Sequence, residues 1–159
     1  MNLESWDKEA IKFIELTDKH QVRMLMVGGG AVNFHGYQRH SADVDFWIDM
    51  TPKNLNNLKI VFHEMGYDIN EFPEDVLNCN QNISLKFSPK TIFIELITRF
   101  SINKSFEEAF NESELVIVEG NPIYKWRVLN FDDLILSKIK SGRPKDLLDI
   151  QELNRIKNK

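Results

Sequence analysis

Asp43 and Asp45, one residue apart in the apolar run from Asp43 to Ile48, are the side chains in this sequence best suited to chemistry. Residues i and i+2 of an extended strand point the same way. Their Cα atoms then lie roughly 6.5–7 Å apart at about 3.3 Å rise per residue, so the carboxylate tips can share a hard cation. Upstream, Gly28-Gly29 directly follows the apolar run from Val22 to Val27. Glycine immediately after a strand lets a phosphate approach the backbone closely. A third acid, Glu95, sits within Phe93-Ile94-Glu95-Leu96-Ile97, and charge inside a buried strand is costly unless it meets a partner or a metal. Asp43, Asp45 and Glu95 on adjacent strands would suit two Mg²⁺ ions about 3.5–4 Å apart, with Mn²⁺ as the alternative ion. The competing reading places Glu95 at an exposed edge and pairs Asp43 with Arg39.

The elements that must position these residues follow from periodicity. Glu4 to His20 carries Trp6, Ala10, Phe13, Ile14 and Leu16 near helical spacing, which predicts an amphipathic helix. A strand from Val22 to Val27 follows, then Gly28-Gly29-Gly30 opening a short helix that Gly36 ends. The strand from Asp43 to Asp49 leads to Pro52, at the first turn of a helix closed by Gly66. Residues 68–82 show no clear period. Ile83 to Phe87 and Thr91 to Ile97 read as a hairpin about Ser88-Pro89-Lys90. A short helix from Phe106 to Phe110 precedes a second hairpin, Leu115 to Val118 with Ile123 to Val128. Two helices, Phe131 to Lys140 and Lys145 to Ile156, close the chain.

Composition bounds the function. The 159 residues suit a single domain, read as 1–159 with a core of about 22–128 and C-terminal helices of about 130–157. No apolar stretch approaches the roughly 20 residues of a membrane helix, and the charged N-terminus has no apolar signal core. Cys79, the only cysteine, fits a reducing compartment, so a cytoplasmic protein is expected. A net charge of −4 argues against a dedicated duplex-DNA binder, which needs clustered Lys and Arg. His35 and His40 lie near the acidic pair, but Mg²⁺ prefers oxygen ligands and their spacing does not suit zinc. His35 is expected to pack or hydrogen-bond under the glycine helix and His40 to be exposed. Trp47 is read as a core residue ahead of a base-stacking one.

The glycine pair with Gly36-Tyr37-Gln38-Arg39-His40-Ser41-Ala42-Asp43-Val44-Asp45 resembles the nucleotidyltransferase superfamily related to DNA polymerase β. More narrowly, it resembles the small bacterial AbiEii-like and minimal-nucleotidyltransferase groups. Their pattern G-x-x-R-x-T-x-D-x-D is met by Gly36, Arg39, Asp43 and Asp45, with Ser41 keeping the hydroxyl of the usual threonine. Arg143-Pro144-Lys145-Asp146 matches their R-x-K-D element, and Asp149-Ile150-Gln151-Glu152-Leu153 the D-x-x-x-L that follows. Lys138 matches a lysine of the preceding helix.

The resemblance implies an α/β (α+β) fold of polymerase-β type, a mixed sheet flanked by helices with a C-terminal helical pair. It implies catalytic roles for Asp43, Asp45, Glu95, Lys138 and Asp146, the first three as metal ligands. Asp146 has a competing role as a carboxylate at a helix start. Gly28, Gly29, Arg39, Ser41, Arg143 and Lys145 fall in the nucleotide-binding set. Where many members have Gly-Ser, this chain has Gly28-Gly29, which removes one side-chain phosphate contact. The implied reaction moves a nucleoside monophosphate from an NTP to a hydroxyl on a protein, a tRNA or a small molecule. Its implied setting is a toxin–antitoxin or abortive-infection system, with a toxin or antitoxin as protein partner. The alternatives are a catalytically weak nucleotide- or partner-binding protein of antitoxin type, and a metal-dependent phosphohydrolase.

Overall fold

The computed structural model describes residues 3–4, 6–41, 43–87 and 93–159. In chain order the elements are α1 (Lys8–Lys19), β1 (Met24–Val27), α2 (Gly28–Phe34), β2 (Asp43–Ile48), α3 (Pro52–Glu64) and α4 (Glu74–Leu77). There follow β3 (Ile83–Leu85), β4 (Phe93–Ile97), α5 (Phe106–Asn111), β5 (Glu114–Val118), β6 (Tyr124–Val128), α6 (Phe131–Ser141) and α7 (Pro144–Lys157). The strands form one mixed sheet in the order β3-β4-β2-β1-β6-β5. β1 runs antiparallel to β2 and parallel to β6, and β2 runs parallel to β4. This is the mixed α+β arrangement with a C-terminal helical pair that the sequence implies.

Strand alternation divides the sheet into two chemically different faces. Met26, Phe46 and Leu96 stand in one register row and all are fully buried. α1 and α3 cover that face, with Trp6 packed on Trp126 and Phe13 stacked on Phe62 at 6.2 Å. The neighbouring rows point the other way and carry Leu25, Trp47 and Ile97, then Val27, Asp45 and Glu95. Trp47 meets Phe100 and Phe106 at 5.3 and 5.0 Å, so it is a core residue, as expected. The carboxylates thus stand on the face opposite α1 and α3.

Several boundaries move for identifiable reasons. α1 begins at Lys8 rather than Glu4 because the Asp7 carboxylate caps it, accepting from Glu9 N–H at 2.8 Å. β1 starts at Met24 rather than Val22. The Asn54 side chain takes the Arg23 N–H at 2.7 Å and shares its carbonyl with Asp49 N–H, donating to it at 3.0 Å. α2 starts at Gly28, with no loop after the strand. The unpatterned 68–82 segment contains the one-turn α4. β3 and β4 pair antiparallel, while the expected turn at Ser88-Pro89-Lys90, with Thr91, lies outside the described residues.

Phe46 is fully buried between Met26 and Leu96 and follows Asp45 directly. Phe46→Ala should cost about 3–5 kcal/mol through lost burial and the cavity left behind. Urea unfolding of the variant would show it as a lower midpoint at unchanged slope.

Candidate active site

The site is built where β1 hands over to α2. Val27 is the register partner of Asp45, and Asp45 is the partner of Glu95, so the glycine turn and two acids fall in one row across three strands. Asp43 precedes on the same face, opposite Phe93. Gly28 has φ +61°, the left-handed region where a side chain is strained, and a Cβ there would lie 2.6 Å from Asp45 Oδ2. Only glycine lets the backbone pass this close to the carboxylate. A Cβ on Gly29 would sit 2.6 Å from Ser41 Oγ and 3.5 Å from Arg39 Nη1. The Ser41 hydroxyl, which donates to the Asp43 carbonyl at 2.8 Å, therefore occupies the space that a serine at position 29 would need.

Burial and crowding of like charge together set the electrostatics. Burial pushes the Asp45 carboxyl up; the charge and side-chain hydrogen bond of Asp43 and the charge of Glu95 push it further. Lys138 pulls it down, and the result is about 7. Glu95 is steadied from the other side, because Ser84, its register partner on β3, donates to Oε2 at 2.6 Å. Among the described residues no three His, Cys, Asp or Glu side chains are already gathered as a metal-binding group. The donor set nonetheless fits a hard cation. It is all carboxylate oxygen, and two of its members share a hydrogen bond whose proton a cation would displace.

The remaining expected residues form a buried ladder of alternating charge behind the carboxylates. Lys138 on α6, only 4% exposed, lies 3.2 Å from Asp146 and 3.0 Å from Asp149. Asp149 also takes a two-pronged contact from Arg39, Nε at 2.8 Å and Nη2 at 2.9 Å. Asp146 takes the Arg143 guanidinium at 2.7 and 3.2 Å and the Arg143 backbone N–H at 3.2 Å. Burial pushes Asp146 up, yet hydrogen bonds from Arg143, Ser141 and Lys138 outweigh it and hold the carboxyl well below its ordinary range. Asp146 and Asp149 are 0% and 1% exposed.

Asp146 thus sits at the start of α7, as its helix-start reading expects, and pairs there with Lys138. Arg39 meets Asp149 rather than Asp43, and its fork is engaged in tying the loop before β2 to α7. Arg143 is more than half exposed even while paired, and Lys145 is exposed with no ion pair among the described residues. His35 Nε2 lies 2.8 Å from the Leu129 carbonyl and His40 is exposed, as expected. Sequence reasoning misses Ser84, since nothing local marks a serine on a three-residue strand. It finds Asp149 as part of a motif but not the partners of that carboxylate.

Between about pH 3.8 and 7 the folded state holds a proton on Asp45 that the unfolded chain has released. This contribution to stability is therefore present below the lower value and is lost as pH rises towards the upper one. In urea unfolding with chelator present, Asp45→Asn should gain on the wild type across that window. The gain should approach about 1.4 kcal/mol per pH unit where only the folded wild type keeps the proton. A stability difference that stays flat from pH 4 to pH 8 would refute the raised Asp45 carboxyl.

No curated protein matches the chain. A family model described as nucleotidyltransferase of unknown function (DUF6036) matches residues 1–158. The match covers nearly the whole chain, which therefore belongs to this family of nucleotidyltransferases of unknown function.

Proposed function

We propose that the protein transfers a nucleoside monophosphate from an NTP to a hydroxyl acceptor, within the DNA polymerase β-like superfamily and its AbiEii-like and minimal branch. The observation that carries this reading is the single register row of Val27, Asp45 and Glu95 at the Gly28-Gly29 turn. It sets a glycine backbone beside carboxylates that share one face of the sheet. Asp43, Asp45 and Glu95 would hold Mg²⁺, two ions in all, which when bound would neutralise the triphosphate and lower the barrier to displacement. The backbone at Gly28 and Gly29 and the Ser41 hydroxyl face the triphosphate. Arg143 and Lys145, both exposed at the mouth of α7, add positive charge. Lys138 and Asp146 act through position, Lys138 balancing the acids and Asp146 fixing Lys138.

In the proposed step the acceptor oxygen attacks the α-phosphorus and forms a new P–O bond. The α–β bridging bond breaks, and its electron pair leaves with pyrophosphate. The hydroxyl proton passes to one of the three carboxylates. The acceptor is a protein side chain or a tRNA end, in a toxin–antitoxin or abortive-infection setting inside the cytoplasm. No helix among the described residues is long and apolar enough to cross a membrane. A nucleotide-binding protein without turnover is the second reading, favoured by one observation: Glu95 is engaged by Ser84 rather than gathered with the aspartates.

Two experiments separate these readings. Incubation with each labelled NTP, Mg²⁺ and cell extract should transfer label to a macromolecule, and Asp45→Asn should abolish it. Nucleotide binding without transfer under every condition would establish the second reading, and free monophosphate without an acceptor would indicate a hydrolase. Separately, Ser84→Ala should weaken Mn²⁺ binding about 10–100-fold by calorimetry, as loss of a hydrogen bond to a metal ligand typically does. Ser84→Thr should restore it. Tighter Mn²⁺ binding by Ser84→Ala would mean that the serine restrains Glu95 instead of presenting it.

A further inference from the structure

At the other end of the sheet from the carboxylates lies a cleft of about 510 Å³. Its wall includes Val22, Arg23 and Met24 at the start of β1 and Asp49 just beyond β2, whereas the glycine turn is at the far end of β1. Four residues at about 3.3 Å rise put roughly 13 Å between Arg23 and Val27. A ligand in this cleft is therefore distinct from the one at the carboxylates.

The cleft keeps more positive than negative charge. Arg23 is paired with Glu107 at 2.5 Å and Asp49 at 3.5 Å, and its guanidinium lies over the Phe110 ring at 4.6 Å. Lys53, Lys125 and Arg127 also line the cleft, and none forms an ion pair among the described residues. Only Asp18, likewise without an ion pair among the described residues, stands against these three. Arg23 with its two carboxylates carries one net negative charge and the unpaired groups two positive ones, so one positive charge is left in excess, in a concave site that concentrates its field. Thr51, Lys53 and Asn54 bring in the N-terminal end of the 13-residue α3, which adds partial positive charge.

The hydrogen-bonding inventory points the same way. Trp126 lines the cleft and is 5% exposed, yet its indole N–H has no acceptor among the described residues. A buried donor left unmatched is costly, and such groups are few in folded proteins. The amides of Gln21 and Asn57 in the same wall have no side-chain partner among the described residues. Phe110 supplies one aromatic surface. Donors and cations exceed acceptors, within a volume suited to a small molecule rather than a long polymer.

We infer that this cleft binds a small phosphate monoester, its dianion balanced by Lys53, Lys125 and Arg127 and its polar body held by the Gln21 and Asn57 amides. This second site goes beyond the proposed transfer and stands whether or not the chain turns over nucleotides.

The test is a ¹H–¹⁵N correlation titration of the full chain, without divalent metal, using ribose 5-phosphate, inorganic phosphate and ribose. Ribose 5-phosphate should produce saturable shifts in the Trp126 indole N–H and in the amides of residues 23, 53 and 125–127. Ribose should produce none, and inorganic phosphate weaker ones. Lys125→Glu with Arg127→Glu should cut the affinity by about tenfold or more, the scale of a lost charge-assisted contact. Lys53→Glu, at an exposed helix start, should do the same if the double variant does not fold. Shifts confined to residues 28–45, equal binding of ribose, inorganic phosphate binding as tightly as the ester, or unchanged affinity in a folded variant would each overturn the inference. So would a short single-stranded oligonucleotide that saturates the same resonances more tightly than the monoester.

Discussion

Putting carboxylates side by side on neighbouring strands is the constraint around which this molecule is arranged. The register that places Asp45 between Val27 and Glu95 leaves little freedom to separate the charges, because strand spacing is fixed by backbone hydrogen bonds. Burial first, and the neighbouring acids with it, make Asp45 hold its proton more tightly. The rest of the relief comes from outside the sheet, where Lys138 on α6 supplies an opposing charge. The C-terminal helices are therefore part of the site's electrostatics, although no strand of the sheet includes them.

Holding Lys138 in place takes more than one partner. A buried ammonium with a single carboxylate would leave donors unmatched, and here two aspartates share it, each anchored in turn by an arginine. Such ladders add little net stability, since desolvation offsets much of the attraction, but breaking one leaves an uncompensated buried charge. What the ladder supplies is position. Arg39 belongs to the segment leading into β2, while Asp149 belongs to α7, so the ladder spans the two ends of the chain and fixes the helical pair against the acidic strand.

Legibility in the sequence tracks distance along the chain. Asp43, Asp45, Gly28 and Gly29 can be read because their roles follow from alternation and from a strand ending in glycine, both local patterns. Glu95 is legible as a charge where an apolar residue belongs. The helix pair at the C-terminus is legible from periodicity and from Pro144. The Ser84 hydrogen bond depends on how β3 aligns with β4 across a turn, and no local pattern encodes that alignment. The Arg39–Asp149 contact joins residues 110 apart, and the local alternative, Arg39 with Asp43, is the only one a linear reading offers. The parallel pairing of β1 with β6 is likewise invisible, since those strands have the whole middle of the chain between them.

Gly29 and Ser41 carry a consequence for how this site can vary. A side chain on Gly29 would meet the Ser41 hydroxyl in a single small volume, so in this chain one cannot be added without moving the other. The loop entering β2 delivers the hydroxyl, and the helix start is left bare. Substituting either position alone overfills the volume or empties it, whereas exchanging both conserves the hydroxyl and moves its attachment point. In this packing a side chain at position 29 finds room only if the Ser41 hydroxyl turns away from the Asp43 carbonyl, which ties the bareness of the helix start to the hydrogen bond that opens the acidic strand.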